Sequence, residues 1–289
     1  MIDTEAVERV KTLFISDVHL GTRGCQAEQL LNLLKHYDAE TIFLVGDIID
    51  GWRLKSVWHW PPPHNVVVQK LLRKVRKGAH IVYVPGNHDE FLRAYVGENF
   101  GGIDIVEEAT YQLVDGRKAL ILHGDKFDTV VRNIKWLAHL GDWAYELAMF
   151  INRHLNVARR LLGMPYWSFS AASKAMVKQA VSFIGAFEDA VIADAKHQGA
   201  QVVVCGHIHH AAIRQVGPVL YVNCGDWVES RTAIAEHLDG RLELIRWDEM
   251  ASRAEQAGLP PANLSLQPLG IQQASASGRQ ILESLLTRR

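Results

Sequence analysis

Short apolar runs that end on charge alternate with amphipathic stretches over the first hundred residues. Thr12–Leu20 (TLFISDVHL) begins as a buried-type run and ends in a polar loop, the mark of a short interior strand. Leu30, Leu31, Leu33 and Leu34 within QAEQLLNLLKHYD recur at helical spacing. A second strand is predicted over TIFLVGDIID, then an amphipathic helix over VVVQKLLRKVRKG closed by Gly78, then a third strand over HIVYVPGNHD. This alternation predicts βαβ units and a largely parallel sheet. Ligands of such sheets bind at the carboxyl ends of the strands, and all three strands end in polar residues.

Two later stretches are β-rich instead. In the first, IDIVEEATYQLVDGRKALILHGD, Asp115-Gly116 separates two alternating runs and predicts a hairpin. The second holds AQVVVCGHIHH, VLYVNCGD, TAIAEHL and RLELIRW, with a hairpin turn at Asp239-Gly240. Two β stretches imply two sheets with helices outside them. Between them, about 128–197, lies a helical segment rich in Trp136, Trp143, Leu147 and Phe150, interleaved with Arg132, Lys135, Arg153 and Arg159. MPYWSFS interrupts it, and a long helix is expected from about Ala172 to His197. The expected organisation is a domain over 1–250 carrying this segment as an inserted lid. A Pro-, Gln- and Ser-rich tail over 251–289 is expected to be partly disordered, with one short apolar pattern near Ile281 and Leu285.

The composition adjusts this picture modestly. With 289 residues, 48% of them hydrophobic, the chain can bury a large core. A net charge of −1 gives no electrostatic basis for nucleic acid as a partner. Three cysteines, Cys25, Cys205 and Cys224, are too few and scattered for a disulfide framework or a thiolate zinc site, and fit small core residues in a reducing cytoplasm. The N-terminus has no stretch of signal-peptide character, and no apolar run reaches membrane-spanning length. A cytoplasmic protein is expected.

The chemistry lies in five segments: Asp17-Val18-His19, Gly46-Asp47, Gly86-Asn87-His88-Asp89, His123-Gly124-Asp125 and Gly206-His207-Ile208-His209. Each alone is a common loop pattern. Five in this order, each following a predicted strand, point to a metal centre. Carboxylate, carboxamide and imidazole donors without thiolate suit Mn²⁺, Fe²⁺, Zn²⁺ or Co²⁺, and the glycines let the backbone turn tightly beside them.

The order D-x-H, GD, GNHD, HGD, GHxH over Thr12–His209 resembles that of the calcineurin-like metallophosphoesterases. The resemblance implies an α/β fold, an αββα sandwich of two β-sheets flanked by helices. It implies two divalent ions, Mn²⁺ expected and Fe or Zn²⁺ as alternatives. Asp17, His19, Asp47 and His209 would hold one, and Asp47, Asn87, His123 and His207 the other, with Asp47 bridging. His88 would be the catalytic acid. Asp89 would orient it, or would serve only as a structural carboxylate.

GTRG after DVHL, FLVGDIIDGW and HGDKFD resemble the branch containing UDP-2,3-diacylglucosamine diphosphatase of lipid A biosynthesis, which releases UMP. A phosphorylated, lipid-linked substrate would give the apolar segment a purpose as an acyl groove, and its basic residues would meet the cytoplasmic face of the inner membrane. Asn87 and His88, with Ser170, Lys174 and Lys178, are the candidate substrate contacts. That branch usually carries GNRD where this chain has GNHD, and His moves protons where Arg acts as a fixed cation. A soluble phosphomonoesterase or phosphodiesterase is therefore the alternative.

Overall fold

The computed structural model describes residues 7–128 and 170–256, with the side chains of 170–180, 251 and 253–256 excepted. The chain divides into two compact units, Met1–Asp125 with Ala195–Arg289, and Lys126–Asp194.

In the first unit, β1 (Glu8–Ile15), β2 (Tyr37–Val45), β3 (His80–Val84) and β5 (Ile103–Ile105) run parallel. Antiparallel strands extend both edges: β4 (Asn99–Phe100) beside β5, and β11 (Thr232–Glu236) with β12 (Leu242–Arg246) beside β1. The sheet order is β12-β11-β1-β2-β3-β5-β4. A second, five-stranded sheet contains β6 (Ala109–Gln112), β7 (Lys118–Ile121), β8 (Val202–Cys205), β10 (Val219–Asn223) and β9 (Ala212–Val216), in that order.

Side-chain alternation along the three central strands explains why both faces of the first sheet are buried. Leu13, Ile15, Ile42, Leu44, Ile81 and Tyr83 pack with Leu30, Leu31, Leu34, Val67 and Leu71 of α1 (Ala27–His36) and α3 (Pro62–Arg76). Their neighbours Phe14, Phe43, Val45, Val82 and Val84 pack with Ile121, Val202, Val204 and Val222 of the second sheet. Phe14 stacks on Phe43 at 5.3 Å, and Tyr111 meets Phe43 edge-on at 5.2 Å. One polar clamp crosses this layer: Thr12 Oγ1 donates to Glu236 at 2.7 Å, while the other oxygen of Glu236 accepts from the Val114 amide at 2.7 Å. The result is two mixed sheets with flanking helices, the α/β architecture expected.

Both predicted hairpins form, β6–β7 around Asp115-Gly116 and β11–β12 around Asp239-Gly240. The two β-rich stretches do not correspond one to one with the sheets, however. Each is shared between them, because β5 pairs with β3 and β11 returns to pair with β1. A one-and-a-half-turn helix, α2 (Gly51–Ser56), follows the second strand where the sequence pattern gives no periodicity. Cys205 and Cys224 are buried free thiols, and Cys25 is partly buried.

α4 (Ser170–His197) runs 28 residues and carries the chain back to β8. Within the second unit, Phe127 meets Phe187 edge-on at 6.5 Å, and Lys126 pairs with Asp194 at 2.8 Å. The residues of the expected lid from 129 to 169, and the tail beyond Gln256, lie outside the described residues. α5 (Trp247–Gln256) continues as helix into the first residues assigned to the tail. No helix among the described residues is long and apolar enough to cross a membrane.

Candidate metal centre

The five motifs occupy loops at the carboxyl ends of five parallel strands: Asp17 and His19 after β1, Asp47 after β2, Asn87 after β3, His123 after β7, His207 and His209 after β8. Backbone bonds lace the loops together, Asp17 N to Gly46 O at 3.0 Å, His19 N to Asp47 O at 2.9 Å, and Gly206 N to His123 O at 3.1 Å. The conformation is strained where the chemistry lies. Among the described residues, six non-glycine residues have positive φ, and five of them are Asp17, His19, Asp47, His207 and His209. Left-handed backbone costs a side-chain-bearing residue on the order of 1–3 kcal/mol, so such a concentration marks a functional constraint. Crowding makes Gly46 and Gly86 obligatory. A Cβ on Gly46, whose φ is +77°, would strike the His123 ring. One on Gly86 would strike Asp47 Oδ1 and come within 2.7 Å of His123 Nε2.

Two donor clusters result, Asp17 with His19 and His209, and Asp47 with His123 and His207, the ligand atoms of each lying within 4.8 Å of one another. A third grouping, His19, Asp47 and His88, overlaps both. His19 Nε2 lies 3.4 Å from His209 Nε2, and His209 Nε2 lies 3.2 Å from Asp17 Oδ1. Two ring nitrogens this close share either a proton or a cation. Asp17 Oδ1, Asn87 Oδ1 and His123 Nε2 are buried without a well-formed hydrogen bond. Buried polar atoms are normally satisfied, so these orphaned atoms fit divalent ions as their missing partners. The opposite atoms are fixed: His123 Nδ1 donates to Val45 O at 2.9 Å, Asp47 Oδ1 accepts from His88 N at 2.8 Å, and Asp17 Oδ2 accepts from His207 N at 3.0 Å.

The electrostatics agree. Burial pushes the Asp17 and Asp47 carboxyls up, but neighbouring histidines outweigh it and hold both below the usual carboxylate range: His209 and His123 for Asp17, His123 above all for Asp47. Conversely, burial disfavours a charged His123, yet Asp47 and then Asp17 raise it to about 10. Such a cluster stores negative charge, and a divalent cation supplies what the proton on His123 supplies in its place.

His88, half-buried, lies with Nδ1 3.0 Å from Asp50 Oδ2. The same oxygen lies 3.2 Å from His19 Nδ1, and Asp50 Oδ1 accepts from Arg53 N at 2.8 Å, capping α2. Asp50 thus turns the Nε2 atoms of His19 and His88 away from itself. Burial lowers His88, but Asp50 and then Asp47 outweigh it and hold the ring above the usual histidine range. Trp52, exposed, lies tilted over the His88 ring at 4.3 Å and anchors its indole N–H on Glu90 at 3.2 Å.

Sequence reasoning missed Asp50, although the second acid of GDIID sits at a helix N-cap, where an Asp signals a capping role. Asp89, expected as the orienting carboxylate or a structural one, directs its hydrogen bonds elsewhere. It accepts from Gly86 N, Ile48 N, Ile49 N and Tyr83 OH at 2.5–3.3 Å. These bonds tie the loop after β2 to the loop after β3, and the carboxylate beside the His88 ring is that of Asp50. Ser170, Lys174 and Lys178 fall on α4, and their side chains lie outside the described residues.

Asp, Asn and His converging at the strand ends of paired mixed sheets define a metallohydrolase. The sequence pattern of the Calcineurin-like phosphoesterase family matches residues 10–211, and the chain belongs to that family. It is a hydrolase acting on phosphoric ester or pyrophosphate bonds and uses divalent metal. The UDP-2,3-diacylglucosamine hydrolase of Cellvibrio japonicus is 28% identical over 83% of this chain and 100% of its own length. That of Aeromonas salmonicida is 23% identical over 78% of this chain and 89% of its own, and that of Marinobacter nauticus 26% over 76% and 90%.

Proposed function

We propose that this chain hydrolyses the pyrophosphate bond of UDP-2,3-diacylglucosamine, or of a closely related amphiphilic nucleotide, releasing UMP. The observation that carries this reading is the complete donor set at the strand ends. It is supported by likeness over nearly the whole length of hydrolases named for that substrate. Asp17, His19, Asp47 and His209 would hold one ion, and Asp47, Asn87, His123 and His207 the other, both Mn²⁺. When bound, the ions supply Lewis acidity to the phosphoryl oxygens and lower the pKa of water.

The chain's own residues hold and move the proton. Asp50, facing His88 Nδ1, shifts the ring toward its protonated form, which would offer the Nε2 proton to the leaving oxygen. Asp50 holds His19 by the same means. Asp89, bonded to two backbone loops, keeps Asp47 and Asn87 in register. The apolar, basic segment about 128–197 would receive the acyl chains and rest on the cytoplasmic face of the inner membrane, with Ser170, Lys174 and Lys178 as candidate substrate contacts.

Protein loaded with Mn²⁺ and given the substrate in detergent micelles is expected to release UMP. Turnover of small soluble phosphate esters with no release of UMP would overturn the lipid reading. It would favour the second reading, a soluble phosphomonoesterase or phosphodiesterase, for which the His88–Asp50 pair speaks because it is built for proton transfer rather than as a fixed cation.

A further inference from the structure

At the amino ends of β1 and β2, the end of the sheet away from the metal centre, a cleft of about 1060 Å³ opens between α1 and α3. About 20 Å of extended strand separates Ala39 on its wall from Val45, where the metal loops begin. Six cationic side chains line it: Arg9 from β1, Lys35 from α1, Lys70, Arg73 and Lys74 from α3, and Lys77, the residue that caps α3. Lys70, Arg73 and Lys74 are spaced i, i+3 and i+4, so they form one face of the helix, and Lys77 follows at its C-cap.

Only two carboxylates line the same cleft, and both are engaged: Glu40 with Lys11 at 2.7 Å and Asp38 with Lys74 at 3.5 Å. Among the described residues, Lys70, Arg73 and Lys77 have no ion pair. Cations in the last turn of α3 complement its dipole, but that does not explain why Arg9 and Lys35, from two other elements, converge on the same space. Lys70 registers the crowding. Burial first, then the charges of Lys74, Lys35 and Lys77, push its amine down to about 8. Six cations against two engaged carboxylates in a concave wall leave an excess of positive charge that suits an anion.

We propose that this cleft is a second, non-catalytic site that binds a phosphate-bearing polyanion. Arg73 and Lys77 flank its mouth as exposed donors, and Lys70 and Lys74 form the deeper wall. Nothing in this proposal depends on the substrate assigned to the metal centre. The phosphate chemistry could reach the cleft as a free pyrophosphate group or as an anionic lipid headgroup, and one experiment separates them.

Lys70, with its depressed amine, is a reporter within the cleft itself, so binding at the metal centre does not confound it. Its acetylation rate is followed by mass spectrometry in the metal-loaded protein, with pyrophosphate, with phosphatidylglycerol vesicles, or with phosphatidylcholine vesicles. At a ligand concentration about four times its Kd, the labelling rate is expected to fall about fivefold. Protection by pyrophosphate identifies a soluble ligand, and protection by phosphatidylglycerol alone identifies a lipid headgroup. The double variant Arg73→Gln/Lys77→Gln should lose the protection. Arg76→Gln, on the same helix but outside the cleft, should keep it. No protection by either anion, or equal protection in the double variant, overturns the proposal.

Discussion

The residue to which the proposed mechanism assigns proton donation is His88, and what sets it apart is its partner. His88 Nδ1 lies 3.0 Å from a buried carboxylate, which shifts the ring toward its protonated form. His88→Ala is expected to lower kcat by about 10²–10³-fold while leaving bound metal, measured by elemental analysis, unchanged. Loss of metal in that variant would move His88 from acid to ligand. Asp50→Asn is the subtler test. It removes the charge that raises His88, so the ring loses its proton at lower pH and the alkaline limb of the kcat profile should move toward acid. A purely structural Asp50 would lower activity without moving that limb. The pair also shows what a sequence pattern can reveal at this scale. Asp17, His19, Asp47, Asn87, His123, His207 and His209 stood out because each follows an apolar run and carries donor chemistry. Asp50 did not, because a single acid three residues after a ligand is indistinguishable from a solvated loop until its cap and both rings are placed around it.

At the scale of elements, β1, β2 and β3 were legible because they are buried on both faces, which leaves continuous apolar runs. The assignment of strands to sheets was not legible. Thr12 of β1 pairs with Glu236 of β11 across most of the chain, and no local pattern encodes such a contact. The packing of α3 against the loop after His19 yields a further prediction. His64, buried on α3, accepts a hydrogen bond from Gly21 N at 3.1 Å through Nδ1, so the ring must be neutral there. Burial, reinforced by His59, lowers it from the ordinary 6.5 to about 4. A depressed pKa contributes stability that is present above pH 6.5 and is lost as pH falls toward 4. In metal-free protein, urea unfolding should show a loss over that window on the order of 2–3 kcal/mol greater than in His64→Asn, which keeps an acceptor but cannot titrate. Parallel pH curves for the two proteins would show that Gly21 N does not hold the ring neutral.

At the scale of the whole molecule, metal and fold are coupled because the centre gathers side chains from both sheets. His123 follows β7 in one sheet and Asp47 follows β2 in the other, with their nearest ligand atoms 3.4 Å apart. Two buried carboxylates and a ring raised to about 10 make the metal-free centre a proton store. Binding a divalent ion must displace the proton on His123, so metal uptake and proton release are a single equilibrium. Three consequences share that cause. Titration calorimetry of Mn²⁺ binding should give apparent enthalpies that differ between buffers in proportion to their ionisation enthalpies, with release of about one proton near neutrality. The apparent affinity should weaken as pH falls, since acid refills the same nitrogen. The metal should also raise Tm, because ligands from both sheets exist together only in the folded chain, by about 4 kcal/mol of stabilisation at a thousandfold excess over Kd. Chelation should reverse this and abolish turnover together, and re-addition of Mn²⁺ should restore both. A chelated protein that unfolds at the same temperature and binds metal without releasing protons would mean that the donors are not preassembled as this geometry requires.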